Sequence, residues 1–511
     1  MISIINSFGL DGINGYIVTV EVDVGNGMPM FEIVGLPDAA VKESRQRVKS
    51  ALKNTKIDLP AKKYVVNLAP ADMKKEGAVY DVPIAVGVIS SLGMVKFDSL
   101  SECMFLGELS LSGEIRKVKG VLPATISARD NGIKNIFVPI ENAAEAAIVD
   151  NVNVFPCNCI RDIIMHFTGE KPIERLVINV DNYFNQRIVS ECDFSEVKGQ
   201  ENVKRALEIA AAGGHNCLLI GSPGTGKTML AKRLPTILPD LTLEEALEIT
   251  KIHSVAGILP QNAPVITTRP FRSPHHTIST VALSGGGSVP RPGEVSLSHH
   301  GVLFLDEFPE YKKDAIEVLR QPLEDGTVTV SRVQSTMTYP CNFMLVAAMN
   351  PCKCGYYGDP NHECTCTEHQ INQYLSKISG PVLDRIDLHI EINPVKYDDL
   401  EDKTISEKSS DIKKRVNAAR DIQRNRFKND GIFSNSQMSS QHINKYCVLG
   451  TQESLLLKNA FERMGLSARA YDRILKVART IADLDGSECI KTVHIAEAIQ
   501  YRNLDRKYWK M

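Results

Sequence analysis

The sequence predicts a multidomain α/β protein, and three observations carry that prediction. Cys217-Leu218-Leu219-Ile220 is a short apolar strand that runs into Gly221-Ser222-Pro223-Gly224-Thr225-Gly226-Lys227-Thr228 and then the helical run Met229 to Leu234. Val302-Leu303-Phe304-Leu305 is a second apolar strand, ending in the paired acids Asp306 and Glu307. Near the start, Tyr16, Val18, Val20, Val22 and Val24 alternate with polar residues at the period of a half-buried strand.

Each element follows in order. After the alternating strand, Asp38 is placed to cap a helix in which Val41, Val48 and Leu52 recur at helical spacing. Tyr64 to Leu68 reads as a short buried strand, Pro70 as a turn, and the run after Asp81 as a helix. These elements make residues 1–170 a mixed α/β domain and 171–192 a polar linker. Residues 193–395 form the nucleotide-binding core, and 396–511 form a helical domain. That last domain opens on a basic stretch, with seven Lys or Arg against three Asp between Asp411 and Asp430.

Composition narrows the function. With 511 residues the chain is long enough for about three domains, each with its own core. Lys and Arg number 59 against 61 Asp and Glu, so the molecule is no polycation and any nucleic-acid binding must be local. The longest uncharged apolar stretch, Val82 to Val95, is interrupted by Pro83, Gly87, Ser90, Ser91 and Gly93 and is too short to span a bilayer. The N-terminus lacks a basic n-region and a cleavage site. A cytoplasmic chain with reduced thiols is therefore expected.

The glycine octet is a phosphate site. Its glycines let backbone N–H groups converge on a β-phosphate at a helix N-terminus, and Lys227 brings a positive charge to the β- and γ-phosphates. Thr228 supplies a hydroxyl to Mg²⁺, Asp306 orients the Mg²⁺ shell, and Glu307 polarises the attacking water. The residues that hold ATP are thus Gly221, Ser222, Pro223, Gly224, Thr225, Gly226, Lys227, Thr228 and Asp306. An ATPase is expected.

The rest of the core resembles a known family. Asp193 to Gln200 is similar to the segment that precedes the phosphate loop in AAA+ ATPases and packs near the adenine. Arg269-Pro270-Phe271-Arg272-Ser273-Pro274-His275-His276-Thr277, Gly285-Gly286-Gly287 and Pro290-Arg291-Pro292-Gly293-Glu294 resemble the magnesium-chelatase-subunit-like branch, and within it the bacterial ComM/YifB competence family. Val34 to Asp38, Asn67 to Asp72 and Ser379 to Asp387 extend the likeness over essentially the whole chain.

The resemblance implies an AAA+ core with a helical lid and a homo-hexameric ring with ATP between subunits. Asn350, in Ala347 to Pro351, looks like the sensor of the lytic water. Arg385 is similar to an arginine finger offered to a neighbour's γ-phosphate; the alternative is a surface ion pair with Asp384 and Asp387. Arg469 looks like the lid sensor, with Arg473 four residues on as the other candidate. The resemblance also implies a branch-migration helicase that acts on single-stranded or branched DNA in natural transformation, alongside recombination proteins.

Two segments are candidates for gripping a substrate. One is Gly257 to Pro292, with Arg269, Arg272, His275, His276 and Arg291. The other is the alternating Thr327 to Arg332, read as one arm of a hairpin ending in Arg332. Positive loops in a pore suit a phosphodiester backbone; the alternative is that they make subunit contacts. A protein-remodelling chaperone is the rival function. A magnesium-inserting motor ranks lower, because no D-x-S-x-S stretch with an adhesion-type domain occurs.

Cys352-x-Cys354 and Cys364-x-Cys366 could surround one Zn²⁺ tetrahedrally, with His362 and His369 as substitutes; reduced thiols or a disulfide pair are the alternatives. Finally, Lys75 to Ala85 and Gly107 to Glu114 resemble the Lon-protease-like, α+β fold of ribosomal-protein-S5 type. A Ser–Lys dyad would then fall on Asp81 and near Leu122. An acceptor-only carboxylate with no lysine partner cannot act as that nucleophile, so a non-proteolytic domain is expected.

Overall fold

The computed structural model describes residues 2–97, 99–184, 192–260, 263–287, 290–331, 336–395 and 406–509. The chain divides into two compact units, Met1–Arg187 with Leu243–Thr267, and Ile188–Thr242 with Thr268–Met511.

The first unit is built on a seven-stranded mixed sheet. Its strands are β1 (Ile2–Asp11), β2 (Asn14–Gly25), β3 (Met30–Val34), β4 (Lys63–Ala69), β5 (Cys103–Phe105), β8 (Asn135–Pro139) and β9 (Asn153–Cys157), in the order β3-β4-β2-β1-β5-β8-β9. A small ribbon joins β6 (Glu108–Leu109) to β7 (Ile115–Arg116). The period-two pattern of β2 is realised as expected: Val18, Val20 and Val22 are fully buried. Alternate residues feed two separate apolar clusters, Ile5 and Phe137 one of them, Phe8 and Ile136 the other.

Asp38 caps the helix Ala39–Asn54, its carboxylate accepting from the Val41 N–H at 2.7 Å, and Val41, Val48 and Leu52 face the core. The helix Asp81–Ser91 is apolar on all sides and accordingly buried. One element of this unit comes from far along the chain: the helix Leu243–Ala256. The Ser254 hydroxyl donates to the Glu145 carboxylate, and the Gly120 N–H donates to the Ser254 carbonyl at 3.2 Å. Glu145 is buried, which pushes its pKa up despite the bonds it accepts from the Ser254 hydroxyl, the Leu122 N–H and the Asn142 side chain. Beyond 170, the Leu176 N–H donates to the Val154 carbonyl at 2.9 Å.

The second unit carries a five-stranded, all-parallel sheet of β10 (Cys217–Gly221), β11 (Phe271–Arg272), β14 (Val302–Leu305), β17 (Met344–Met349) and β18 (Leu388–Ile392). The order is β11-β14-β17-β10-β18. Two antiparallel ribbons leave it, β12 (Gly285–Gly286) with β13 (Arg291–Pro292), and β15 (Thr327–Ser331) with β16 (Thr336–Pro340). Of the hairpin arm expected at 327–332, Thr327–Ser331 is a strand, while Arg332 lies outside the described residues.

The helices Ser409–Arg426, Ser440–Tyr446, Thr451–Met464, Ala468–Leu484 and Thr492–Gln500 follow the sheet. Ile412, Val416, Ile474 and Ile495 share one apolar cluster with Leu219, Val346 and Ile390 of the strands. Sheet and C-terminal helices are thus held by a common core.

Candidate active site

In an open parallel sheet, ligands bind beyond the carboxyl ends of the strands where the strand order reverses. Here that place is the end of β10, which lies between β17 and β18 although those strands come later in the chain. The loop after β10 carries the glycine octet. Gly224 and Gly226 take φ values of 80° and 87°, which only glycine adopts freely, and Gly226 caps the helix Lys227–Arg233. Gly221 has no room for a side chain: a Cβ there would lie 2.6 Å from the Ile392 carbonyl.

Two further segments, the ends of β14 and β17, converge on this loop. The Lys227 ammonium donates to the carbonyls of Gly221 at 2.7 Å and Ser222 at 2.9 Å, and to Asn350 Oδ1 at 3.1 Å. Burial lowers the Lys227 pKa, with Asp306 opposing the fall. The Thr228 hydroxyl donates to Asp306 Oδ2 at 2.6 Å, and Asp306 Oδ1 accepts from the Glu307 N–H at 2.9 Å. Thr228 and Asp306 therefore place two hard oxygen donors side by side, a donor set that fits Mg²⁺. Glu307 is 60% exposed at its side chain and takes a left-handed φ of 50°, uncommon for a residue with a Cβ.

His276 Nδ1 lies 3.1 Å from Glu307 Oε2. The ring of its neighbour His275 lies against it at a tilt of 34°, with centroids 4.1 Å apart, and is exposed. The other residues expected in a substrate loop divide sharply. Arg269 donates to the carbonyls of Pro239, His300 and Asp240, and Arg272 is paired through two nitrogens with Glu294 at 2.6 and 2.7 Å. Both act as structural braces, while Arg291 is exposed.

The C-terminal basic stretch is also largely neutralised within the fold. Lys413 pairs with Asp240, Lys414 with Asp411, Arg415 with Glu208 and Glu407, Arg424 with Asp421 and Arg426 with Asp483. Arg420 donates to the carbonyls of Phe433 and Ala211. The seven-to-three surplus that marks this stretch in the sequence is not a free basic face.

A second cluster of charges lies at the opposite end of the strands, before β10 and β18. The Asn216 side chain donates to the Arg385 carbonyl at 3.0 Å, immediately before β10. The phosphate loop begins only at the other end of that strand, roughly 16 Å away at about 3.3 Å per residue. Arg385 pairs with Glu324 rather than with Asp384 or Asp387, and its side chain is 7% exposed. Its Nε has no hydrogen-bond partner among the described residues. Burial and then Arg469, Arg320 and Arg473 lower its pKa. Arg473 donates to Asp387 at 2.6 Å; although burial alone would raise the pKa of Asp387, Arg473 and His215 hold it well below the usual carboxylate range. Arg469 is 59% exposed, 3.9 Å from Asp384. Of the two lid-sensor candidates, Arg473 is committed to a buried ion pair and Arg469 is available.

The four cysteines meet. Their sulfurs lie within 4.8 Å of one another, with Cys352 3.3 Å from Cys354 and 3.7 Å from Cys364. Tetrahedral coordination at about 2.3 Å per Zn–S bond requires S···S separations of roughly 3.8 Å, so the set fits Zn²⁺. In the first unit, Asp81 is fully buried and bound bidentately by Arg47 at 2.6 and 3.0 Å, with the Leu109 N–H as a third donor. Leu122 is buried, and its N–H donates to Glu145.

Sequence reasoning did not anticipate Glu324, the His276–Glu307 pair, the Arg47–Asp81 pair or the place of Leu243–Ala256. Each joins residues distant in the chain, and no local periodicity marks such a pairing.

Comparison with known proteins agrees with this architecture. Residues 193–400 match the family described as magnesium chelatase, subunit ChlI; residues 20–142 match subunit ChlI of Mg-chelatase; and residues 406–502 match its C-terminal region. The chain is 42% identical over 511 residues to the uncharacterized protein YifB of Escherichia coli strain K12, covering 99% of this chain and 98% of that one. It is 40% identical over 513 residues to competence protein ComM of Haemophilus influenzae, covering 100% and 99%. The magnesium-chelatase 38 kDa subunit of Rhodobacter capsulatus is 26% identical over 176 residues, covering 31% of this chain and 50% of that subunit.

Proposed function

The chain belongs to the YifB/ComM family of magnesium-chelatase-like proteins, and from that premise we propose that it is a Mg²⁺-dependent AAA+ ATPase that moves on DNA as a homo-hexamer. The observation that carries the reading is the meeting of Lys227, Thr228, Asp306, Glu307 and Asn350, drawn from three separate strand ends, around one glycine loop.

Phosphoryl transfer is chiefly positioning and charge neutralisation. Lys227 neutralises the β- and γ-phosphates, Asn350 orients the lytic water, and Glu307 accepts its proton. Bound at Thr228 and Asp306, Mg²⁺ supplies charge to the phosphate oxygens. Arg385 stands a strand length from its own phosphate loop, so its guanidinium serves the nucleotide of a neighbouring subunit, with Arg469 beside it. The exposed His275 and Arg291, together with Arg332, contact the DNA backbone, and branch migration in recombination is the task. The Cys352, Cys354, Cys364 and Cys366 set holds structural Zn²⁺. The first unit is a non-proteolytic platform of Lon-like fold, its Asp81 tied up by Arg47.

The test is steady-state ATP hydrolysis without DNA, with single-stranded DNA and with a four-way junction, at two salt concentrations. Stimulation that fades with salt is expected. Hydrolysis indifferent to every DNA but raised by a protein client would replace the DNA reading with protein remodelling.

A further inference from the structure

The loop enclosed by the two cysteine pairs reaches the phosphate loop directly. Asp359 lies between Cys354 and Cys364, and its Oδ2 accepts from the Ser222 hydroxyl at 2.5 Å. Its side chain is 1% exposed. Gly355, in the same loop, is pressed against Pro223: a Cβ at Gly355 would lie 2.6 Å from the Pro223 ring, and its φ of 93° excludes most other residues. Two consecutive residues of the octet, Ser222 and Pro223, are therefore braced by the cysteine loop: the octet's own Thr225 and Lys227 hold the Ser222 carbonyl, whereas the Ser222 hydroxyl is held by Asp359.

The far side of the cysteine loop is anchored as well. Tyr357 packs edge-on against Tyr508, with ring centroids 6.3 Å apart. Tyr508 and Lys507 in turn bind Glu391 of β18, the strand beside β10. The loop thus sits between the phosphate loop and the chain's last turn. Within it, the hydrogen bonds between backbone groups are short-range, Gly355 N–H to the Cys352 carbonyl and Asp359 N–H to the Tyr356 carbonyl, and other backbone N–H groups turn to the sulfurs, those of Gly355 and Tyr357 to Cys352 and those of Tyr356 and Thr365 to Cys354. A segment with so little backbone pairing depends on its cross-link for shape. Four thiols gathered at one point are that cross-link once they share a metal ion.

We infer that the metal-loaded cysteine loop is a positioning element of the nucleotide site, with Asp359 as the residue that orients Ser222, so that metal occupancy sets the affinity for ATP. The inference rests on the reading of the four cysteines as a Zn²⁺ site and of the octet as the ATP site. Asp359 touches neither substrate nor metal; it acts through Ser222.

The experiment uses the full chain and a fluorescent ATP analogue, with zinc measured by elemental analysis on the same samples. Asp359→Ala is expected to keep one zinc per chain and to weaken the analogue about tenfold, with turnover at saturating ATP within about twofold of wild type. Asp359→Asn, which still offers Ser222 an acceptor oxygen, is expected to restore binding to within about twofold. Stripping the metal from wild-type protein with a chelator should weaken binding as Asp359→Ala does, and should add little to that variant, since both break the same link. A zinc-bearing Asp359→Ala protein with unchanged affinity would overturn the clamp. Protein that purifies without zinc and binds the analogue normally would overturn the metal reading beneath it. Far-ultraviolet circular dichroism on the stripped sample separates loss of the clamp from loss of the fold.

Discussion

The imidazole of His276 and the carboxylate of Glu307 stand 3.1 Å apart, joining the segment after β11 to the acidic end of β14. That pair gives the proposed water-activating carboxylate a partner other than water, on a backbone already in the left-handed region. An exposed charge-assisted hydrogen bond is worth about 1 kcal/mol, or about fivefold in rate. His276→Ala should therefore raise DNA-free ATP turnover about fivefold and reduce the further gain on adding DNA. Unchanged basal turnover with lost stimulation would instead make His276 a DNA contact.

The phosphate loop and its acids separate binding from hydrolysis. Lys227→Ala should abolish binding of a fluorescent ATP analogue. Glu307→Gln should bind it normally and lose turnover by a factor of about 100 or more, the range expected of a lost general base. Wild-type turnover in Glu307→Gln would remove its assigned role.

Arg385 tests the assembly. Arg385→Ala should bind ATP and fail to hydrolyse it. Mixing it with Lys227→Ala protein, which retains Arg385, should restore part of the turnover, because an arginine offered across an interface completes a neighbour's site. No recovery in a mixture shown to co-assemble would place its action within one subunit.

The pH dependence of stability has a source in Lys476. Burial, followed by the nearby Arg473, brings its pKa down to about 8, against the opposing pull of Asp387, Asp472 and Cys447; its ammonium donates to the Ser436 carbonyl. Between pH 8 and the ordinary lysine value near 10.4 the unfolded chain binds more protons than the folded one. The contribution of Lys476 to stability then rises with pH through this window, by about 1.4 kcal/mol for each pKa unit displaced, while buried thiols and tyrosines such as Cys217 and Tyr80, whose pKa values burial raises, contribute with the opposite sign. Lys476→Met should flatten that rise and be the more stable protein at pH 7, as read from denaturant midpoints at pH 7 and 9.

Asp81 offers a test of the first unit. Arg47→Ala would leave a buried carboxylate without its cation and should destabilise that unit by about 3 kcal/mol, seen as an earlier unfolding transition. The protein should show no ATP-dependent cleavage of casein.

The residues that make the nucleotide site were legible because their chemistry is local. The octet needs glycines at fixed offsets, the acids must end an apolar strand, and a cap such as Asp38 lies three residues from the N–H it satisfies. The substrate loop was only half legible. Arg269, Arg272, His275 and Arg291 are alike in sequence, yet two are braced against carbonyls or Glu294 and two face solvent. The basic surplus at 411–430 is no measure of a free basic face for the same reason, since three of its acidic partners, Asp240, Glu208 and Asp483, lie far away in the chain.

By itself the sequence marked the glycine octet and its paired acids, the strand and helix periods and the gathering of four cysteines in one short stretch. Folding alone decided which cations are spent, since an ion pair forms wherever the chain brings a carboxylate within about 4 Å and sequence separation places no limit on that. It decided that Arg473 is locked on the buried Asp387 while Arg469 stays exposed beside Asp384, and that Leu243–Ala256 packs with the first unit. It also set Asp359 against Ser222, across 137 residues, where no motif records the contact.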